Sequence, residues 1–184
     1  MKQANTKKGI LALLKLVDQR IKSEAILVTL GGTALTLLGD KEYSLDIDLL
    51  IFSVKNEEEF YNVYFQCVDE LKLIQGEHPP FRKLDMSLLK IDDFFAKAHQ
   101  FRDVAFKNIK VYIMDLLDII LSKNYRGLPK DRRDILSIMQ MHKIKKQALY
   151  ARYLELFRQQ SYDIRPSFEQ KYQELIKDFG RLLK

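Results

Sequence analysis

The sequence predicts a mixed α/β (α+β) fold: a small mixed β-sheet core with flanking helices over residues 1–114, then a helical C-terminal region over 115–184. Three observations predict it. Short, apolar, β-rich runs bounded by glycine or polar breaks all fall before residue 114. From Asp115 onward, apolar residues recur at helical spacing. The charge is also divided: residues 123–184 hold 15 Lys+Arg against 7 Asp+Glu, whereas 1–122 hold 16 against 18. A sheet region followed by an all-helical region is the order expected of a core carrying a helical appendage.

The elements follow in order. Residues 8–23 place apolar side chains at Ile10, Leu11, Leu13, Leu14, Leu16, Val17 and Ile21, a recurrence that suits a helix with one buried face. Residues 25–30 form a buried strand, ended by Gly31-Gly32. A short helix over 33–38 stops near Gly39-Asp40. Residues 44–52 form a second strand, apolar except for Asp46 and Asp48. Asn56 followed by three glutamates marks a helix start, with Asn56 as N-cap and the helix running to about Leu73. Gln75 to Pro80 is a loop in which His78 is a surface residue, 81–88 a third strand containing Asp85, and 91–99 a helix. A further strand or hairpin lies within 104–113, with a turn at Lys107-Asn108. The first C-terminal helix ends at Arg126-Gly127, and Pro129 opens the next, reaching about Lys146. Two more cover roughly 148–160 and 167–182.

The bulk properties narrow the setting. With 184 residues, 47% hydrophobic and 30% charged, the chain has the composition of a globular protein. Cys67, the single cysteine, leaves no internal disulfide and suits a reducing cytoplasm; it reads as a buried, inert thiol in a helix. No apolar run approaches the roughly 20 residues that cross a bilayer, so no membrane is expected. The basic start followed by apolar 10–17 is interrupted by Lys15 and lacks a small-residue cleavage site, so it is an amphipathic helix rather than a signal peptide. The basic C-terminal third is either a phosphate-contacting surface or a solvated helical one.

Two local features carry chemistry. The Gly31-Gly32 pair lets the backbone approach a ligand closely, and the helix after it presents free N–H groups that favour anions. Asp46 and Asp48, two apart on a strand, point to one face. Two such carboxylates repel unless a counter-charge lies between them, which suggests a cation site for Mg2+ or Mn2+.

The combination of Gly31-Gly32-Thr33-Ala34-Leu35, 13 residues between Gly32 and Asp46, Ser44-Leu45-Asp46-Ile47-Asp48-Leu49-Leu50, and a separate Asp85 resembles the polymerase-beta-like nucleotidyltransferase superfamily. It is most similar to the minimal prokaryotic branch that includes the AbiEii-type toxins, whose later pattern matches Lys123, Arg126 and Lys130-Asp131-Arg132-Arg133-Asp134. Ser44 departs from the commoner threonine or arginine, and residues 147–184 lie beyond the resemblance. The resemblance implies transfer of a nucleoside monophosphate from a nucleoside triphosphate, with two divalent ions, Mg2+ or Mn2+, about 4 Å apart. It gives Asp46, Asp48 and Asp85 to the metals and Gly31, Gly32 and Thr33 to the triphosphate. Lys123, Arg126 and Lys130 would serve phosphate charge, and Asp134 would position Lys123 or the acceptor. It implies RNA or tRNA, a protein hydroxyl or a small molecule as acceptor, and an antitoxin protein as a partner. A non-catalytic nucleotide- or partner-binding module on the same fold, and a phosphotransferase such as an aminoglycoside-modifying enzyme, are the alternatives.

Overall fold

A computed structural model of the chain describes residues 5–74 and 95–184, and they form two compact units, one of 5–74 with 95–114 and one of 115–184. The mixed α+β class holds: a small mixed sheet with helices around it occupies the first unit, and the second is helical.

The first unit begins with β1 (Asn5–Thr6) and α1 (Lys7–Arg20). Thr6 starts the helix because its hydroxyl accepts the Gly9 N–H at 3.2 Å. Strand β2 (Ala25–Thr29) leads into α2 (Gly31–Leu38), which ends at Gly39 with φ +88. That left-handed stop is where a glycine is needed. Strands β3 (Tyr43–Ser44) and β4 (Leu49–Val54) follow, then α3 (Glu57–Glu70). Asn56 caps α3 as expected, its Oδ1 accepting the Glu59 N–H at 3.1 Å. After the undescribed 75–94 come β5 (His99–Gln100) and β6 (Ile109–Ile113).

The sheet order is β4-β2-β6-β5. Strand β2 pairs antiparallel with β4 and parallel with β6, and β5 is antiparallel to β6. Strand β1 pairs with β3 in a separate two-stranded ribbon. Helix α1 packs on α3, burying Ile10, Leu13, Leu14 and Val17 with Phe60, Tyr64, Cys67 and Val68. Burial pushes the Cys67 thiol up in pKa, so it is the inert core group expected. On β4, Phe52 stacks on Phe95 with centroids 3.7 Å apart, and Phe95 in turn meets Tyr112 of β6.

Three elements differ from those the sequence predicts. The strand expected over 44–52 is broken: Ser44 pairs with Asn5 in the ribbon, residues 45–48 are not strand, and pairing with β2 starts at Leu49. The cause is local, because the main chain at Asp46 and Asp48 bonds the Thr33 side chain instead of a ladder. The glycine pair forms the first turn of α2 rather than preceding it. The helix expected through His99 has ended by then, since His99 pairs with Ile113 in β5. The strand expected over 81–88, with Asp85, lies outside the described residues, as do His78 and its loop.

In the helical unit, α4 (Leu116–Arg126) is capped by Asp115, whose Oδ1 accepts the Leu117 N–H at 2.8 Å, and is stopped by Gly127 at φ +70. Then come α5 (Pro129–Met141), α6 (Lys146–Gln159) and α7 (Arg165–Phe179), with a 3₁₀ turn at Gly180–Leu182. Pro129 takes the first turn, as its missing N–H allows. Helix α5 ends at Met141 rather than near Lys146, because His142 turns extended at ψ 141. Helix α4 packs against each of the other three. The unit's interior is partly ionic. Arg152 of α6 makes a two-pronged pair with Asp118 of α4 at 2.6 and 3.0 Å, and both side chains are buried. Tyr153 stacks on Tyr172 of α7 at 3.9 Å, and its hydroxyl donates to Glu169 at 2.8 Å.

Candidate functional site

The acidic corner of the first unit is built from the end of β2, the start of α2 and the segment before β4. Leu30 is the N-cap of α2 and offers no side-chain acceptor. The first intrahelical bond runs from Ala34 N–H to Leu30 O, so the N–H groups of Gly31, Gly32 and Thr33 lack helical partners. Leucine is among the poorest N-caps. A helix start left without its own cap suits an external anion, because the donors and the helix dipole both favour negative charge.

Thr33 is the staple of this corner. Its buried hydroxyl accepts the Asp48 N–H at 2.8 Å and donates to the Asp46 carbonyl at 3.2 Å. Leu30 N–H adds a bond to the Asp48 carbonyl at 3.1 Å. These bonds fix the backbone on both sides of buried Ile47, while Asp46 and Asp48 remain half-buried. The acids are therefore held through their main chains. Alternating burial at Asp46, Ile47 and Asp48 keeps both carboxylates off the core.

The glycines are required by close approach. A Cβ on Gly31 would sit 3.1 Å from Asp48 Oδ2, at φ +47. A Cβ on Gly32 would sit 2.6 Å from Ser44 Oγ and 3.9 Å from Lys41 Nζ. The backbone at 31–32 thus lies directly against a carboxylate, a hydroxyl and an ammonium. Lys41 and Ser44 were not among the expected site residues. Lys41 follows the Gly39-Asp40 stop, and that return of the chain toward the glycines was the available signal.

Asp48 places one carboxylate against the Gly31 backbone, and oxygen donors of this kind are what hard cations such as Mg2+ or Mn2+ take. Among the described residues, no three His, Cys, Asp or Glu side chains gather as a metal-holding group. Asp85, the expected third acid, lies outside the described residues.

Lys123, Arg126 and Asp134 do come together, within the helical unit. Lys123 is 4% exposed, and its ammonium meets Asp134 at 2.6 Å and Asp131 at 3.3 Å. Arg126 holds Asp131 with two bonds, at 2.8 and 2.6 Å, and Asp131 also accepts the Leu128 N–H. Burial alone would raise the Asp131 pKa. The hydrogen bond from Arg126 and the charges of Lys123 and Arg126 outweigh it and hold the carboxyl below the usual aspartate range. Asp131 is the hub of this cluster, although in the sequence it stands only as one member of the Lys130–Asp134 run. The available signal was two pairs at i, i+3, one of cations and one of acids, flanking a turn. Lys130 lies on the same helix as Asp134, half-buried.

No curated protein and no solved structure matches the chain. A family model described as a nucleotidyltransferase of unknown function (DUF6036) matches residues 8–180, and the chain belongs to that family.

Proposed function

We propose that the protein is a metal-dependent nucleotidyltransferase that moves a nucleoside monophosphate from a nucleoside triphosphate to an acceptor hydroxyl. The observation that carries this reading is the acidic corner, where an uncapped helix start and two main-chain-held carboxylates share one backbone turn. The family supplies the reaction class.

In this reading the N–H groups of Gly31, Gly32 and Thr33 receive triphosphate oxygens, and Lys41 neutralises part of their charge. Thr33 acts through its hydroxyl as a positioning residue, since that group already holds Asp46 and Asp48. Asp46 and Asp48, with Asp85, would hold two divalent ions. Bound there, the ions would lower the pKa of the acceptor hydroxyl and neutralise the leaving pyrophosphate. The acceptor oxygen bonds to the α-phosphorus while the bond to the bridging pyrophosphate oxygen breaks; the acceptor's proton passes to a carboxylate or to solvent. On the helical unit, Arg126 and Lys130 serve phosphate charge, and Asp131 and Asp134 hold Lys123 in place. We take RNA, in particular a tRNA end, as the first acceptor class to test, with a protein hydroxyl and a small molecule next. A place in a toxin–antitoxin pair belongs to the same proposal.

The test is incubation of the purified protein with each labelled nucleoside triphosphate, Mg2+ or Mn2+, and total cellular RNA, beside Asp46→Ala and Asp48→Ala proteins. Label moving into RNA or protein only with intact aspartates supports the reading and names the base and acceptor class. Transfer retained in both variants overturns the metal assignment.

A further inference from the structure

The sheet has a second feature at its other end. Strand β2 runs from Ala25 towards the acidic corner, and a cleft of about 480 Å³ opens beside Ala25 and Ile26, at the end where β4 finishes and β6 begins. Ile26 lies abreast of Ser53 on β4 and of Lys110 on β6, so these three share one face.

The cleft is strongly one-signed. Lys55, Arg102, Lys107 and Lys110 line it, against the single acid Glu24. Glu24 meets Lys55 at 3.5 Å, but both are about three-quarters exposed, and such a pair is worth little. Arg102, Lys107 and Lys110 are exposed and form no ion pair among the described residues. Phe106, half-buried, stands at the same rim.

The loop that presents these groups is held in advance. Asp18 of α1 is buried, and its carboxylate accepts the N–H groups of Lys107, Asn108 and Ile109 at 3.0, 2.6 and 2.9 Å. The Asn108 side chain donates back to the carbonyls of Asp18 and Ile21. The nearest buried acid is thus spent on backbone donors, and the cations keep their charge for a ligand.

We propose that this cleft binds a short stretch of single-stranded nucleic acid, with phosphates on the four cations and a base stacked on Phe106. Cations from the end of β4, the β5–β6 loop and β6 match a strand's repeated phosphates, and cation plus aromatic is the pairing single strands favour. The volume is in the range that holds a drug-sized molecule, which seats one or two bases and not a duplex, while the flanking phosphates of the strand reach the exposed cations at the rim. This site does not depend on the transfer reaction, and it is tested without nucleotide or divalent metal.

The experiment is fluorescence anisotropy of a fluorescein-labelled ten-nucleotide oligouridine with the full chain, over roughly 50 to 200 mM KCl, the range in which phosphate contacts are felt. The variants are Arg102→Glu/Lys110→Glu, the milder Arg102→Gln/Lys110→Gln, Phe106→Ala, and Arg133→Glu/Lys143→Glu as a matched charge change on the helical unit. Circular dichroism melts establish that each is folded. Expected is a loss of about tenfold or more for the Arg102/Lys110 reversal, with the salt slope falling by about 1.4 for two phosphate contacts. The Gln pair should show the same slope change, Phe106→Ala a loss of about fivefold or more, and the Arg133/Lys143 control a change under about threefold. No binding by the wild type, an unchanged affinity in the Arg102/Lys110 variants, or equal losses in the control overturns the proposal. So does a poly-glutamate peptide that competes as well as oligouridine, which would make the partner an acidic peptide.

Discussion

The two units use aspartate in opposite ways. In the helical unit, Asp118, Asp131 and Asp134 are held by their side chains, each against an arginine or lysine, and are almost wholly buried. In the acidic corner, Asp46 and Asp48 are held by their main chains, through Thr33 and Leu30, and are half-buried. An acid fixed through its carboxylate has its charge balanced inside the protein and serves the fold. An acid fixed through its backbone is oriented by bonds that its carboxylate does not make. The same residue type is thus anchored in two different ways, and the hydrogen-bonding atom tells them apart.

The largest effect that would break this contrast is on stability. Asp118→Ala leaves the Arg152 guanidinium buried without its two-pronged partner. Loss of one partner of a buried pair costs about 3–5 kcal/mol. Hydrogen exchange of the α4 and α6 amides should quicken accordingly. An apolar pair of similar volume at both positions should recover most of that protection. If Asp118→Ala leaves those amides as slow as in the wild type, the buried pair does not hold the unit together.

A smaller effect sharpens the other side. Thr33→Val removes the hydroxyl and leaves the Asp48 N–H without its acceptor, at about 1–3 kcal/mol. Thr33→Ser keeps the hydroxyl and should recover most of the loss in a denaturant titration. At a temperature where all variants are folded, transfer should fall in Thr33→Val and return in Thr33→Ser. Equal transfer in wild type and Thr33→Val would show that the staple does not orient the acids.

The smallest effect is on pH. The folded pKa of Asp131 is depressed by Arg126 and Lys123. Its stabilisation is therefore complete above the unfolded aspartate value near 3.9 and is lost as pH falls through the lower folded value. Acid unfolding of Asp131→Asn, followed by far-ultraviolet circular dichroism, should lack that component below about pH 4. A profile identical to the wild type would place the carboxylate's charge outside the stability of the helices.

Much of this was legible in the sequence because it is written locally. Asn56 before three glutamates, Asp115 before an apolar run, Gly127 and Pro129 each specify a helix boundary through one residue's own hydrogen bond or dihedral angle. The Gly31-Gly32 and Asp46-Ile47-Asp48 pairs were legible for the same reason. What was not legible depends on partners far apart in the chain. The parallel pairing of β6 with β2 joins residues 84 apart. Asp18 reads as a polar residue on an amphipathic helix until the backbone of Lys107 to Ile109 is brought onto its carboxylate. Thr33 reads as a helix residue until the chain returns at Asp46 and takes its hydroxyl, which is also why the expected strand over 44–52 breaks there. Alternation of apolar and acidic residues foretold the burial of Ile47 between two half-buried aspartates, but not the bonds to Thr33.

The most direct measurement is Mn2+ binding by electron paramagnetic resonance, with a nucleoside triphosphate present, for the wild type, Asp46→Asn/Asp48→Asn and Asp131→Asn. Expected is Mn2+ uptake by the wild type and by Asp131→Asn, and loss of that uptake in the Asp46/Asp48 variant while its melting curve is retained. Uptake unchanged in the Asp46/Asp48 variant, or lost only in Asp131→Asn, would contradict the assignment of the acidic corner as the cation site.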